Sequence, residues 1–335
     1  MAIRHGLSEP SFVSAAEAYT AAVGGDISSS SVERMTKAFG AEMAACKAAE
    51  AQQAIAVSQV GESPRERRVA LHEPIQAASN VSSDGVMVFV RGEGWKEAKM
   101  AVFSAVEVLP PTAERRRREQ RRGKRQHEDV VRLSKHSYCV GLWDADTFGA
   151  YQYAEGLRRG LDLSDRCCSV NDGARWIERI TQANFPHAEQ VVDWGHSVQH
   201  LWTVADALYG EGQPAAARWV AQRKDELWTG DIERVIRVLD TLDLARPACP
   251  DLARQAPGYF RHNRKRMRYD HFRAQGYPVG SGTVESGAKN VVQRRLKRPG
   301  RGWNPDNAQA MLAALGELSS GRFQWAWQQV YHPAA

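Results

Sequence analysis

The chain has 335 residues and a mass of 37.3 kDa, of which 43% are hydrophobic and 25% charged, a composition typical of a globular protein with a substantial core. No apolar run reaches the length that spans a bilayer, and residues 1–5 lack the apolar stretch of a signal peptide. The five cysteines form no CxxC pair, which argues against a disulfide framework and against a cysteine-rich zinc module. These features predict a cytoplasmic protein.

The net charge is +6 and the positive charge is clustered in three stretches, at residues 115–125, 264–268 and 294–301. One such stretch could be a solvated loop or helix face. Three of them favour a nucleic acid as the partner, because cations that neutralise phosphates release counterions. The residues predicted to contact nucleic acid are Arg115, Arg116, Arg117, Arg118, Arg264, Lys265, Arg266, Lys289, Arg294 and Lys297.

The first part of the chain is predicted to be helical, and the middle part is predicted to contain strands that later alternate with helices. Residues 1–75 have helical periodicity, with a linker over 61–68 and an N-cap among serines 28–31. The arginine-rich stretch 114–128 is predicted to be a helix or a mobile excursion. Strands are predicted to end at Asp84 and to cover residues 85–90, 95–108, 137–142, 166–170 and 190–192.

Helices are predicted over residues 147–160, 174–183, 194–251, 283–296, 304–318 and 322–329. Because the strands come first and then alternate with helices, the sequence predicts an α/β domain with a mixed sheet. Aromatic residues alternate with basic ones between 254 and 273. That pattern suits contacts with bases, and equally suits a core beneath a basic surface.

Two aspartates are candidate metal ligands. Asp172 follows an apolar strand and precedes Gly173, and strand ends are where open α/β sheets bind ligands. Asp172 could instead cap the following helix. Asp84 also precedes a glycine after a short strand, where it could equally form a turn.

Glu285 is the third candidate ligand. On a helix over 283–297 it shares a face with Ala288, Val292 and Leu296, which predicts a carboxylate on the buried side. A buried carboxylate requires a compensating charge, either a metal ion or an ion pair with Lys289 or an arginine. Two aspartates and a glutamate from distant segments suit a two-metal phosphoryl-transfer site.

A second set consists of Asp193, His196 and His200. The two histidines lie four residues apart and would share one helix face, a spacing compatible with zinc. The alternative is a hydrogen-bonded structural cluster beside the active site.

Several segments resemble insertion-sequence transposases of the DDE class, named for their Asp-Asp-Glu triad. Residues 170–177 resemble the segment with the second catalytic aspartate, and residues 193–202 resemble an Asp-x-x-His motif of Mutator-like enzymes. Residues 280–297 resemble the segment with the catalytic glutamate. Residues 83–97 match the region of the first aspartate, and residues 153–160 also fit the family. In this order, over roughly 80–318, the motifs most resemble the Kra-type bacterial group.

The resemblance implies a ribonuclease-H-like mixed sheet with a helical insertion and a helical N-terminal region. The implied divisions are residues 1–75, which could bind DNA, 76–200 and 276–335, which form the catalytic domain, and 201–275, the insertion. Members of the family often carry an N-terminal cysteine-containing DNA-binding region, and this sequence shows none. Residues 300–303 match the family's sequence pattern only loosely.

The implied chemistry is Mg²⁺-dependent cleavage of transposon ends in double-stranded DNA, followed by strand transfer, with Mn²⁺ able to substitute. Asp84 and Asp172 would bridge the ions, Glu285 would complete their shell and His196 would lie near the scissile phosphate. The resemblance also implies a homo-oligomer on DNA. The alternatives are an inactive DNA-binding descendant, an unrelated metal-dependent hydrolase that uses the histidines, and a helical RNA-binding scaffold.

Overall fold

A computed structural model describes residues 1–60, 69–114, 116–117, 129–244, 249–298, 300 and 302–332. The predicted linker at 61–68 and most of the stretch 114–128 lie outside the described residues. Within the described part, no helix has both the length and the apolar character that crossing a membrane would need.

A five-stranded mixed sheet forms the centre of the protein, as the sequence predicted. Its strands are β1 Ala78–Val90, β2 Gly94–Leu109, β3 Val130–Gly141, β4 Arg166–Asn171 and β5 Glu189–Val192. They lie in the order β3-β2-β1-β4-β5. The first three strands are antiparallel to one another, whereas β4 runs parallel to both β1 and β5.

Strand β1 differs from its prediction. It runs unbroken over 13 residues with Asp84 in its middle, rather than ending there. The Asp-Gly pair predicted a turn, but Gly85 stays in the ladder opposite Lys99. A side chain at position 85 would meet the carboxylate of Glu97, an exposed and flexible group that can turn aside.

Fourteen α-helices of the described residues surround the sheet. They are α1 Ala2–Ser8, α2 Phe12–Val23, α3 Ser29–Val60, α4 Ala145–Arg158, α5 Arg175–Asn184, α6 Trp194–Tyr209, α7 Pro214–Trp228, α8 Ile232–Asp240, α9 Asp251–Asn263, α10 Tyr269–Ala274, α11 Gly282–Gly287, α12 Arg294–Leu296, α13 Pro305–Ser319 and α14 Phe323–Tyr331. A π-helical segment, Ala288–Gln293, joins α11 to α12. The predicted serine cap is present, because the Ser28 hydroxyl accepts the Ser31 N–H.

The apolar residues of the sheet pack on both faces. On one face, Val86 and Met100 contact a cluster that includes Phe39 of α3 and Met311 of α13. On the other face, Phe103 packs with residues of α4 and α5. The N-terminal helices therefore share a core with the sheet. Helices α6 to α10 bury a cluster of their own, which reaches the sheet through β4 and β5.

A buried ionic network ties four helices together. The Arg322 guanidinium donates to Glu155 at 2.7 Å and to Glu317 at 2.9 Å. Glu155 also accepts from Arg158 at 2.8 Å, and Lys47 of α3 contacts Glu317. Burial opposes ionisation of Glu155, but the attraction of Arg322, Arg158 and Lys47 outweighs it and lowers its pKa.

Candidate metal centre

The first acidic residue, Asp84, lies on the same face of β1 as the buried Val86 and Val88. Its Oδ1 accepts the N–H of Gly85 at 2.7 Å, whereas Oδ2 accepts no hydrogen bond from the described residues. The strand thus fixes a partly buried carboxylate with one oxygen still available.

The second acidic residue, Asp172, follows the end of β4, as predicted. Its Oδ1 accepts the Ala174 N–H at 2.8 Å, just before α5 begins, so it also stabilises the start of that helix. Gly173 has φ +90° and lies against Tyr259, whose hydroxyl donates to the Asp172 carbonyl at 2.9 Å. Helix α9 therefore holds the turn that presents Asp172.

A polar bridge joins the strands that carry the two aspartates. Strands β1 and β4 pair only as far as Asn80 and Cys168, and beyond that point they are no longer paired to each other. There the Asn171 Oδ1 accepts the Ser83 N–H at 2.6 Å, and Gln152 donates to the Ser83 hydroxyl at 2.9 Å. Each bridged residue directly precedes one of the aspartates, so the bridge sets their separation.

A second bridge links Glu285 to Asp193 at the start of α6. One oxygen of Asp193 accepts the backbone N–H of His196 at 2.7 Å and contacts its Nδ1 at 3.0 Å. The other oxygen accepts the Ser281 N–H at 2.5 Å. The Ser281 hydroxyl then donates to Glu285 at 3.0 Å. This chain of contacts ties the start of α6 to the start of α11.

The prediction that Glu285 lies on the buried side of its helix is wrong. Ala288, Val292 and Leu296 are buried as expected, whereas Glu285 is exposed. The π-helical segment Ala288–Gln293 inserts extra backbone, so a constant 100° per residue does not describe this helix. The carboxylate lies beside the apolar stripe and faces the other acids instead of the core.

Four predicted residues, Asp84, Asp172, His196 and Glu285, influence one another electrostatically. The pKa of Asp84 is raised to about 6, mainly by burial and in part by the carboxylates of Asp172 and Glu285, while the Gly85 N–H and His196 oppose the shift. The hydrogen bond to Asp193 raises the pKa of His196, and Asp172 and Glu285 act in the same direction. The site is therefore a concentration of negative charge with one histidine at its edge.

The donor set suits a hard divalent cation. Asp84, Asp172 and Glu285 each keep one carboxylate oxygen that accepts no hydrogen bond from the described residues. Among the described residues, the group whose potential ligand atoms all lie within 4.8 Å of one another consists of Asp193, His196 and Glu285, and it includes neither Asp84 nor Asp172. Asp193, however, already accepts hydrogen bonds on both oxygens. It therefore positions its neighbours, and the carboxylates with an available oxygen are the better ligands.

His200 does not join this group. Its ring stacks on Tyr259, with centroids 3.9 Å apart and an interplanar angle of 22°. Burial lowers its pKa, and the nearby His196 lowers it further. Within the described residues the structure thus does not assemble the zinc site of Asp193, His196 and His200 that the spacing allowed.

The basic residues predicted to contact nucleic acid lie mostly on the surface. Those that are exposed are Arg116, Arg117, Arg264, Lys265, Lys289, Arg294 and Lys297. Arg266 is half-buried and donates to Glu178 at 2.9 Å and to Asn263. Arg115 and Arg118 lie outside the described residues. The neighbouring aromatics Phe260, Tyr269 and Phe272 are buried in the core.

Sequence reasoning missed two of the residues that build the site. Asn171 and Ser281 act through hydrogen bonds to residues 88 positions away in each case, and no local pattern marks them. A scan of the chain against protein-family models finds no match. A search of curated proteins finds none either.

Proposed function

We propose that this protein is a DDE-class DNA transposase, in which Asp84, Asp172 and Glu285 hold Mg²⁺ for phosphoryl transfer. The observation that carries the proposal is that hydrogen bonds through Asn171, Asp193 and Ser281 link the segments that bear these three carboxylates, namely β1, the end of β4 and α11. Their mutual influence appears in the raised pKa of Asp84. Carboxylates that repel one another at one site are costly unless a cation compensates them.

The sheet order supports a ribonuclease-H-like catalytic domain. Three antiparallel strands followed by two parallel ones, in the order β3-β2-β1-β4-β5, is the arrangement that this fold implies. The first acid on the central strand and the second after the neighbouring strand β4 also fit that fold. Helices α6 to α10 correspond to the expected insertion between the second aspartate and the glutamate.

Each residue then has a separate task. Bound Mg²⁺ or Mn²⁺ would neutralise charge on the attacking and leaving oxygens of the phosphate. Asp84 and Asp172 would hold the cation, and the hydrogen bond between Ser83 and Asn171 joins the strands that carry them. The Nδ1 of His196 contacts Asp193, and that contact raises the pKa of the ring. In the protonated ring Nε2 would donate a hydrogen bond to a phosphate oxygen.

The partner in this proposal is double-stranded DNA. Exposed cations beside the carboxylates would neutralise the phosphates that flank the cut, because the acids themselves repel DNA until a metal binds. Assembly of several copies on the two ends of an element, in the bacterial nucleoid, belongs to the same proposal.

The test is cleavage of labelled DNA that carries the element's own flanking ends, in the presence of Mg²⁺ or Mn²⁺. We expect the wild type to cut at the ends. Asp172→Asn and Glu285→Gln should bind the same DNA but reduce cleavage at least 100-fold, since each removes a charged metal ligand. Matched controls are Asp26→Asn and Glu211→Gln, exposed acids outside the site, which should cut like wild type.

The outcomes separate the alternatives. Normal cutting by Asp172→Asn and Glu285→Gln would show that the triad assignment is wrong. DNA binding by wild type without any cutting would favour an inactive, transposase-derived DNA-binding protein. Cleavage that depends on zinc and on His200 would favour a different hydrolase.

A further inference from the structure

An open cavity of about 710 Å³ lies at the end of the β1–β2 hairpin, and none of the candidate metal ligands lines it. Phe89 and Trp95 form one wall, with ring centroids 5.7 Å apart and an interplanar angle of 75°. Their side chains are 40% and 56% exposed. Leu296 and Gly302 also line the cavity, and Gly302 lies directly against the Phe89 ring. Two adjacent exposed aromatics beside a cavity of this size indicate a binding surface.

Cations surround these aromatic rings. The Lys297 Nζ lies 5.7 Å from the centre of the Trp95 ring, and Arg298 also lines the cavity. Arg91 lies next to the Gly302 backbone. The acid in the hairpin turn, Glu93, is already paired with a lysine at 3.2 Å. An aromatic wall with a cationic rim is complementary to a base joined to a phosphate.

We infer that this cavity holds an unpaired nucleobase of the DNA, stacked on Trp95, while Lys297 and Arg298 contact the adjacent phosphates. The inference rests on the proposed function, because it takes DNA as the partner. Stacking needs only the flat face of the base, so the cavity accepts any base. A purely apolar partner would leave the cationic rim without a counterpart.

Strand β1 connects the cavity to the metal centre. Five residue steps of β1 separate Asp84 from Phe89, which corresponds to about 17 Å at roughly 3.3 Å per residue. Because side chains alternate along the strand, Phe89 points to the face opposite Asp84. The cavity is therefore a separate site from the metal centre.

The experiment compares two DNAs by fluorescence anisotropy at one fixed salt concentration. The probes are a fluorescein-labelled single strand of mixed sequence, about 20 nucleotides long, and the same strand in a full duplex. We expect Trp95→Ala to raise the Kd for the single strand roughly tenfold or more and the Kd for the duplex less than about twofold. Trp95→Phe should keep most of the affinity, because the ring remains.

Two controls complete the design. Trp202→Ala removes a tryptophan that is 37% exposed on α6, and it should leave both affinities unchanged. Lys297→Ala should weaken binding of both DNAs and flatten the salt dependence, because it removes a phosphate contact. Thermal unfolding of each variant shows whether it keeps the native fold.

Equal weakening of both DNAs by Trp95→Ala, or no weakening of either, overturns the inference. The inference is also overturned if Trp95→Ala converts a dimer to a monomer in light scattering while its affinity for the single strand stays unchanged. The cavity would then be a contact between two copies of the chain. If single-strand binding requires Trp95 but wild type cuts no DNA, the cavity assignment stands and the proposed cleavage activity fails.

Discussion

Replacing Asp84 by asparagine should stabilise the protein in the absence of divalent cations. The pKa of Asp84 is about 6 in the folded protein, whereas its ordinary value is 3.8, primarily because the carboxylate is buried. The folded state thus binds a proton more tightly than the unfolded chain. Its free energy of unfolding falls as the pH rises from about 4 to about 6 and stays lower above that range.

The size of the effect follows from the shift. Two pKa units correspond to about 3 kcal/mol, and solvent screening of a partly exposed carboxylate reduces this to about 1–2 kcal/mol. The asparagine side chain of the variant would still accept the Gly85 N–H through its amide oxygen. Because the unfolding entropy of a chain of this length is about 0.7 kcal/mol/K, we expect Asp84→Asn to melt about 1–3 °C higher than wild type at pH 8 in EDTA.

The assay is urea and thermal unfolding from pH 4 to pH 8 in EDTA, with Asp26→Asn as the control. The advantage of Asp84→Asn should grow between pH 4 and pH 6.5 and then level off. Added Mg²⁺ should stabilise wild type and leave Asp84→Asn almost unchanged, because a ligand stabilises only the state that binds it. A variant that is less stable than wild type, by the same amount at every pH, would refute the reasoning.

Two further substitutions test the framework around the site. Arg322→Met should lower the free energy of unfolding, measured in urea, by about 3–5 kcal/mol, because it leaves the buried Glu155 without its main partner. The pKa of Glu155 is lowered in the folded protein, so the stability that this ion pair contributes is present above about pH 4.5 and is lost as the pH falls further. An equal stability of Arg322→Met and wild type at pH 7 would contradict this. Asn171→Ala should cost about 1–3 kcal/mol by leaving the Ser83 N–H unpaired, and should weaken Mn²⁺ binding roughly tenfold in a titration. Unchanged Mn²⁺ affinity would show that the bridge is structural only.

Much of the fold follows from local sequence patterns. The strands after Asp84 and the helices near 147–160 and 174–183 have clear periodicity, and the structure contains them. Asp172 lies at the end of its strand because an apolar run stops there before a glycine. The adjacent cysteines 167 and 168 are buried on opposite faces of β4, as alternation predicts.

The errors arose where local patterns have two meanings. The Asp84–Gly85 pair is typical of a turn, but here both residues stay paired with β2 inside the sheet. The side of the helix on which Glu285 lies could not be predicted, because hydrophobic periodicity assumes a regular α-helix and does not reveal the π-helical segment Ala288–Gln293. Neither the proximity of the acids nor the bridges through Asn171 and Ser281 can be predicted from spacing, since all depend on contacts between distant segments.

The central claim is that carboxylates from three separate elements together bind a hard divalent cation. Isothermal titration of the protein with Mn²⁺ at pH 7.5 tests it most directly, with Asp84→Asn, Asp172→Asn and Glu285→Gln beside the control Glu211→Gln. We predict that wild type and the control bind Mn²⁺ alike and that each triad variant binds at least tenfold more weakly. Binding that is unchanged in all three triad variants, or absent from wild type, would contradict the account.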